Sequence, residues 1–142
     1  MAQDMSPDEI RAFLTYGTRT GKLATVRENG RAHVAPIWFV LDGEDLLFTT
    51  WHTSVKAQNM QRDPRANLCV DDETPPYAFV IVEGTVTFTD NRAECLKWAT
   101  RIARRYMGED QAEAFGKRNS VEGELLVRLT PAKYIAKKDM AG

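Results

Sequence analysis

The sequence predicts a mainly β fold, an antiparallel barrel with a few helices, on three observations. Six or so short segments alternate apolar and polar residues, which is the period of a half-buried strand. Most of these segments are joined by short glycine-containing turns, as at Asn29-Gly30 and Asp42-Gly43, which favours hairpins. Segments with helical spacing occur only at the start, in the middle and before the last strands. A parallel α/β fold is therefore disfavoured.

A short helix is predicted at the start of the chain, followed by a hairpin. Ser6, Pro7 and Glu9 form a capping box with proline at the first helical position, and the helix ends before Gly17. Residues 22–26 and 33–41 follow as two strands, joined by a turn at 28–31. Its Asn-Gly pair readily adopts the positive φ angles of a type I′ turn.

Pro36 lies within the second predicted strand. Because proline cannot donate to a ladder, this strand must lie at an edge of the sheet or be bulged there. After the turn at Asp42-Gly43, residues 46–50 form a third strand, which completes a meander.

The second half of the chain continues this alternation. Thr53 or Ser54 caps a helix that runs to about residue 61, and strands at 65–70 and 78–88 follow, with a bulge at Gly84. Helical spacing returns over 91–107 and again over 110–119. Strands at 124–129 and 134–136, split by Pro131, close the chain. We find no repeat or linker, and we expect a single domain over residues 1–142.

Composition excludes several classes of function. A net charge of -1 gives no reason to expect a nucleic acid or an anionic membrane as partner. No apolar run approaches the roughly 18 residues of a membrane span, so we expect a cytoplasmic protein. Cys69 and Cys95 lack metal or disulfide spacing and are predicted to be buried thiols. His33 and His52 lie in separate segments, and no metal site is predicted.

Two charged clusters are predicted to be solvated surface. The run Asp71-Asp72-Glu73 precedes two prolines and is expected to form an acidic turn. The other cluster is basic and lies along one side of the long helix; it comprises Lys97, Arg101, Arg104 and Arg105.

The segment from Thr49 to Lys56 is the strongest candidate site. A strand end that leads into a helix N-terminus offers free backbone amides and a positive dipole, beside two hydroxyls and a lysine. This arrangement suits a phosphate group. An ordinary capped helix with a polar face explains the same residues.

Several segments together resemble the pyridoxamine 5′-phosphate oxidase-like superfamily, whose fold is the FMN-binding split β-barrel of antiparallel Greek-key type. They are Gly21–Val26, His33–Phe39, Ser54–Lys56 with Asn59, Arg62–Arg65 and Val82–Thr85, in this order. Within the superfamily the chain looks most like the actinobacterial branch of flavin/deazaflavin oxidoreductases of the B type, which use the deazaflavin coenzyme F-420.

The resemblance implies a homodimer with two cofactor sites at the subunit interface, each built from both chains. It implies that Lys56 and Ser54 hold the cofactor phosphate, with help from Asn59 and Arg62, Arg65 being a weaker candidate. The residues implied beside the ring are Ala35, Pro36, Ile37 and Trp38, with Thr50 and Trp51 at its lower edge; Tyr77 and Ala78, or Tyr134, would reach across from the partner subunit.

The activity implied is hydride transfer from reduced F-420 to a small, electron-poor conjugated acceptor, such as a quinone, an enone or a tetrapyrrole-like compound. Solvent or a tyrosine would supply the accompanying proton, and no catalytic residue is predicted. An FMN-dependent oxidase or reductase and a non-catalytic protein that binds cofactor or haem stay open as alternatives. The chain ends without the arginine-rich segment of the true pyridoxamine 5′-phosphate oxidases, so vitamin B6 oxidation is not expected.

Overall fold

The computed structural model describes residues 1–142 and contains eight strands and four helices. The strands are β1 (Gln3–Asp4), β2 (Gly21–Val26), β3 (Ala32–Ile37), β4 (Val40–Asp42), β5 (Asp45–Trp51), β6 (Arg65–Asp72), β7 (Ala78–Thr89) and β8 (Glu124–Lys138). The helices are α1 (Pro7–Thr15), α2 (Val55–Arg62), α3 (Arg92–Met107) and α4 (Glu109–Arg118). Every strand pair is antiparallel, which confirms the predicted fold class.

The sheet curls into a barrel that stays open along one seam. Its strand order is β3-β2-β6-β7-β8-β5-β4, with β1 added to β8. A flat sheet of that order would hold its outer strands about 29 Å apart. However, only Trp38 and Phe39 separate β3 from β4, a link that spans at most about 11 Å between Cα atoms. The two edges must therefore meet, yet they form no ladder, and sixteen buried residues fill the interior.

The first hairpin turns differently from the prediction. Arg27 N donates to Arg31 O at 2.9 Å, and Gly30 N donates to Arg27 O at 2.8 Å, so three residues form the loop. Among the three loop residues, only Gly30 has a positive φ, of 86°. Asn29 Oδ1 accepts from Arg31 N at 3.0 Å, and this side-chain bond stabilises a turn in which Asn29 does not adopt a positive φ. The predicted type I′ turn is therefore wrong, although the hairpin itself is confirmed.

Pro36 lies on an edge strand, as predicted. It pairs with Lys22, five pairs from the hydrogen-bonded Arg27–Arg31 pair. Because bonded and non-bonded pairs alternate along an antiparallel ladder, the Lys22–Pro36 pair is a non-bonded one. The N–H that proline lacks would have pointed to the free edge, so no ladder bond is lost. The predicted continuous strand 33–41 is wrong, since β3 and β4 lie on opposite edges.

Strand β8 is continuous where two strands were predicted. Residues 130–136 pair only with β7, so Pro131 can lie within the strand without removing a bond to a second neighbour. A register shift at Gly84 confirms the predicted bulge, and the extra residue is Ala132. A Cβ on Gly84 would lie 2.2 Å from Thr130 O, which explains the glycine.

Helix α3 packs on the outer face of β5 and β8 through a second apolar cluster. Trp98 and Cys95 from the helix meet Leu47 and Leu126 from the strands. The predicted solvated face is confirmed for three of its four basic residues, but it is wrong for Arg105, which is half-buried and bonded to backbone carbonyls. No helix has the length and apolar character that a membrane crossing requires.

The predicted acidic turn is shorter than expected. Asp71 and Asp72 end strand β6 and form ion pairs with Lys22 at 3.3 Å and Arg19 at 3.2 Å, so only Glu73 lies in the turn. The two cysteines are unpaired: Cys95 is buried and Cys69 is half-buried. Burial raises the pKa of both thiols.

Candidate functional site

A cleft of about 380 Å³ opens beside the seam of the barrel, between β3, the end of β5, the start of α2 and the α3–α4 side. It brings together six residues predicted to contact the cofactor, namely Pro36, Ile37, Trp38, Thr50, Trp51 and Lys56. Thr49, which began the candidate segment without an assigned contact, also lines the cleft, and five further lining residues were not predicted: Thr20, Ala99, Ile102, Asn119 and Glu124. The α3 residues had only a helical period in the sequence, and nothing in that pattern indicates a cleft.

The N-terminus of α2 forms the polar end of this cleft. Ser54 caps the helix, its Oγ accepting from Ala57 N at 3.2 Å, and the same Oγ lies 2.8 Å from Thr50 Oγ1. The two hydroxyls share one hydrogen bond, so one hydroxyl hydrogen is left to donate to a ligand. The amides of Val55 and Lys56 have no acceptor within the helix.

Lys56 adds a full positive charge to this end. Its side chain lines the cleft and forms no hydrogen bond or ion pair with the rest of the chain. The helix dipole places further positive potential at the same point. Together these groups place amides, a hydroxyl and an ammonium at one end of the cleft, and donors of this kind suit an anion.

Two tryptophans supply flat apolar walls. The Trp38 ring stacks on Tyr106 of α3, with 5.1 Å between centroids and 4° between planes. The Trp51 ring lies against Gly123, where a Cβ would come within 2.4 Å of the ring. Gly123 has a φ of 100°, so glycine meets both the backbone and the packing requirement.

Helix α3 holds the link between β3 and β4, which carries Trp38. Tyr106 Oη accepts from Phe39 N at 3.2 Å and donates to Arg19 O at 2.7 Å. Arg105 donates to Phe39 O at 2.7 Å and also to two carbonyls of the α1–β2 region. Burial raises the pKa of Tyr106, which keeps its hydroxyl neutral and available for both bonds. The cleft wall is thus fixed by α3.

Glu124 is the acidic residue of the cleft. It is the first residue of β8, pairs across the ladder with Trp51, and is half-buried. Its carboxylate forms no hydrogen bond or ion pair. Burial raises its pKa, against the lowering effect of the positive charges on Lys56, Arg92 and His52.

Four residues near the cleft that were predicted to contact the cofactor do not line it, namely Ala35, Ser54, Asn59 and Arg62. Ala35 lies on the inner side of β3, the same side as buried Ile37. Asn59 is buried and donates to Thr25 Oγ1 at 3.0 Å, while Arg62 donates to Val26 O at 2.7 Å. These bonds hold α2 against β2, and the phosphate role of Asn59 and Arg62 stays a prediction.

The residues expected to reach across a dimer lie elsewhere on the chain. Tyr77 and Ala78 stand at the start of β7, where Tyr77 O accepts from the C-terminal segment. Tyr134 lines a separate cavity of about 390 Å³ between α1 and the β4–β5 turn. Arg65 forms an ion pair with Asp63 at 2.7 Å. None of these lines the cleft of its own chain, and their contact with a partner's cofactor stays a prediction.

Solved structures share this fold. A conserved hypothetical protein from Mycobacterium tuberculosis is 23% identical, with a TM-score of 0.84 over 96% of this chain and 87% of that one. An F-420 reductase is 25% identical, with a TM-score of 0.69 over 87% and 94% of the two chains. An FAD-binding protein from Mesorhizobium loti is 17% identical, with a TM-score of 0.73 over 96% of each chain.

The sequence also matches a protein family over most of its length. The pyridoxamine 5′-phosphate oxidase family matches residues 6–137. This range includes strands β2 to β7 and all of β8 except its last residue; only β1 lies outside it. All residues that line the cleft fall within this range. The chain therefore belongs to the pyridoxamine 5′-phosphate oxidase family and has its split β-barrel fold.

Proposed function

We propose that this protein is an oxidoreductase that binds coenzyme F-420 and transfers a hydride from the reduced cofactor to a small, electron-poor conjugated acceptor. The observation that carries the proposal is that Lys56 and the N-terminus of α2 lie at one end of a cleft whose walls include the flat rings of Trp38 and Trp51. The 25% identity to an F-420 reductase supports the deazaflavin over other flavin-type cofactors. Quinones, enones and tetrapyrrole-like compounds are the acceptor classes proposed.

The residues present fit such a cofactor. A phosphate accepts hydrogen bonds, and the α2 N-terminus offers amides, a hydroxyl and the Lys56 ammonium. The cleft volume of about 380 Å³ falls in the range of about 300–1,000 Å³ that is usual for small-molecule sites. The alternation of the β2–β3 ladder leaves the Pro36 carbonyl facing the free edge, where it can accept from a polar ring edge.

The protein's part in the reaction is binding and orientation. When bound, reduced F-420 supplies the hydride. Lys56 and the helix amides fix the phosphate, while Trp38 and Trp51 hold a flat ring and exclude water from its faces. Holding two reactants at the right distance accounts for a large share of the rate enhancement in such a reaction. The chain therefore needs no nucleophile.

FMN is the second candidate cofactor, giving an oxidase or reductase on the same barrel. Its phosphate and flat ring meet the same requirements, and the FAD-binding relative shares the fold. Haem fits the cleft less well, because neither histidine lines it and could serve as an axial ligand. His52 Nδ1 lies 3.0 Å from Gly123 O, and His33 lies on the inner side of β3.

We further propose that the protein acts as a cytoplasmic homodimer. Large apolar side chains remain exposed around the cleft: Val34 is 63% exposed, Val55 47% and Trp51 44%. A second copy that covers them would also close the open side of the cofactor site. Sedimentation should give twice the monomer mass of 16.0 kDa. A monomer at micromolar concentration would contradict the dimer.

Substitution of Lys56 tests the proposed phosphate site. Lys56→Ala should weaken F-420 binding by about tenfold to hundredfold, because a hydrogen bond to a charged group contributes about 1.5–3 kcal/mol. Lys133→Ala is a matched control, since Lys133 is exposed and lies outside the cleft. Fluorescence titration gives the dissociation constants, and circular dichroism checks that each variant is folded. Equal affinity in both variants would remove Lys56 from the phosphate site.

Turnover tests the activity itself. Reduced F-420 mixed with the protein and menadione, or with 2-cyclohexen-1-one, should return to its oxidised absorbance spectrum faster than without protein. Tight binding without any such acceleration would favour a non-catalytic binding protein.

A further inference from the structure

The proposed reaction requires a proton, and the cleft contains a group that can supply one. Adding a hydride to a neutral conjugated acceptor leaves an extra electron pair on the acceptor, which must be protonated to give a neutral product. This inference rests on the proposed function, because it concerns the same cleft. The candidates are the titratable side chains that reach the cleft or lie beside it.

None of the four tyrosines is placed to give up a proton in the cleft of its own chain. Tyr106 already donates its hydroxyl hydrogen to Arg19 O at 2.7 Å, and burial raises its pKa further. Tyr16, Tyr77 and Tyr134 line other cavities of the chain. A tyrosine of this chain would therefore have to break an existing bond or move to serve as the acid.

The basic side chains near the cleft already have another role, form other hydrogen bonds, or lie outside the cleft. Lys56 is the cation of the proposed phosphate site. Arg92 donates to the carbonyls of Asp90, Ser120 and Glu124 at 3.1, 2.5 and 2.9 Å. His52 lies beside Trp51, with 4.9 Å between ring centroids, and lines the adjoining polar cavity instead of the cleft.

Glu124 is the titratable residue that remains in the cleft, and its surroundings suit an acid. Its carboxylate is half-buried and has no hydrogen-bond or ion-pair partner. It also lines the adjoining polar cavity of about 560 Å³, which gives it a route to solvent protons. Lys56 faces it from α2, Arg92 from α3 and His52 from the β5–α2 loop; burial nevertheless leaves its pKa above the ordinary value of 4.5.

We propose that Glu124 delivers the proton that accompanies hydride transfer. The C–H bond of the reduced cofactor breaks and a new C–H bond forms on the electron-poor carbon of the acceptor. The displaced π electrons of the acceptor take the proton from the Glu124 carboxyl, whose O–H bond breaks. The acceptor gains two electrons, the cofactor loses two, and the Glu124 carboxylate recovers a proton from water.

Glu124→Gln tests this role with little change of shape. With reduced F-420 and 2-cyclohexen-1-one, we expect the rate at mildly acidic pH to fall about hundredfold or more, as for the loss of a general acid. The wild-type rate should fall as pH rises through the pKa of Glu124, and this dependence should disappear in the variant. F-420 affinity should stay within about twofold, which separates a lost acid from a damaged site. Glu28→Gln, in the exposed turn of the first hairpin and outside both cavities, is the control and should behave as wild type.

A second readout needs no cofactor. Carboxyl-carbon NMR of the protein alone should show one glutamate that titrates above its ordinary value of 4.5, absent in Glu124→Gln and present in Glu28→Gln. Wild-type rate and pH dependence in Glu124→Gln, or titration of Glu124 at or below that value, would overturn the assignment and leave the proposed function standing. Failure of the wild type to bind F-420 would overturn both.

Discussion

Removing the hydroxyl of Tyr106 tests how the cleft wall is held. Tyr106→Phe keeps the ring that stacks on Trp38 and deletes two hydrogen bonds, one from Phe39 N at 3.2 Å and one to Arg19 O at 2.7 Å. Each bond contributes about 1 kcal/mol net, so the free energy of unfolding should fall by about 2 kcal/mol. For a chain of this size the Tm should drop by about 6 °C.

Tyr16→Phe provides the matched control. Tyr16 is 68% exposed, its hydroxyl forms no hydrogen bond, and its contact with the Arg19 guanidinium is made by the ring. Its unfolding free energy should therefore change by less than about 0.5 kcal/mol. Thermal and urea denaturation followed by circular dichroism measure both variants. Equal stability of Tyr106→Phe and Tyr16→Phe would refute the claim that the Tyr106 hydroxyl holds the β3–β4 link.

Three further predictions concern local structure. Ser54→Ala should lower stability by about 1 kcal/mol through loss of the helix cap, measured by urea denaturation; no change would show that the cap is dispensable. Gly84→Ala should destabilise by about 2 kcal/mol or more, because the new Cβ would lie 2.2 Å from Thr130 O, and an unchanged Tm would contradict this bulge geometry. The Asp63 carboxyl, bonded to Arg65, should titrate at about 2 by NMR instead of 3.8. Because its folded pKa is lowered, its stabilising contribution is present above 3.8 and is lost as pH falls toward 2; Arg65→Met should return the pKa toward 3.8.

The sequence predicted most of the fold because its signals are local. The capping box at Ser6 and the cap at Ser54 depend on residues three positions apart, and both appear in the structure. The alternation of the strands and the helical period over residues 92–107 are local in the same sense. Pro36 correctly indicated an edge strand, since a missing donor is tolerated there.

The failures depend on contacts between distant residues. The break after Ile37 follows from closure of the barrel, which places β3 and β4 on opposite edges. The continuity of β8 at Pro131 depends on the absence of a second neighbouring strand there. Likewise Arg105 was expected in solvent, but the α1–β2 region and the β3–β4 link surround it with carbonyls.

Only half of the residues that line the cleft were predicted to contact the cofactor, for the same reason. Pro36, Trp38 and Lys56 stood out through a motif or a resemblance. Ala99 and Glu124 come from α3 and β8, far along the chain, and only the packing of α3 on the barrel brings them to the cleft. A carboxylate that begins a strand gives no local signal of a binding site.

The most direct test of the proposed function is a fluorescence titration of the wild-type protein with F-420 and, separately, with FMN. A micromolar or tighter dissociation constant for F-420, with clearly weaker binding of FMN, is the result predicted for a deazaflavin-dependent reductase. The reverse preference would contradict the F-420 assignment and place the chain with FMN-dependent enzymes. Binding of neither cofactor would contradict the assignment of the Lys56 cleft as a cofactor site.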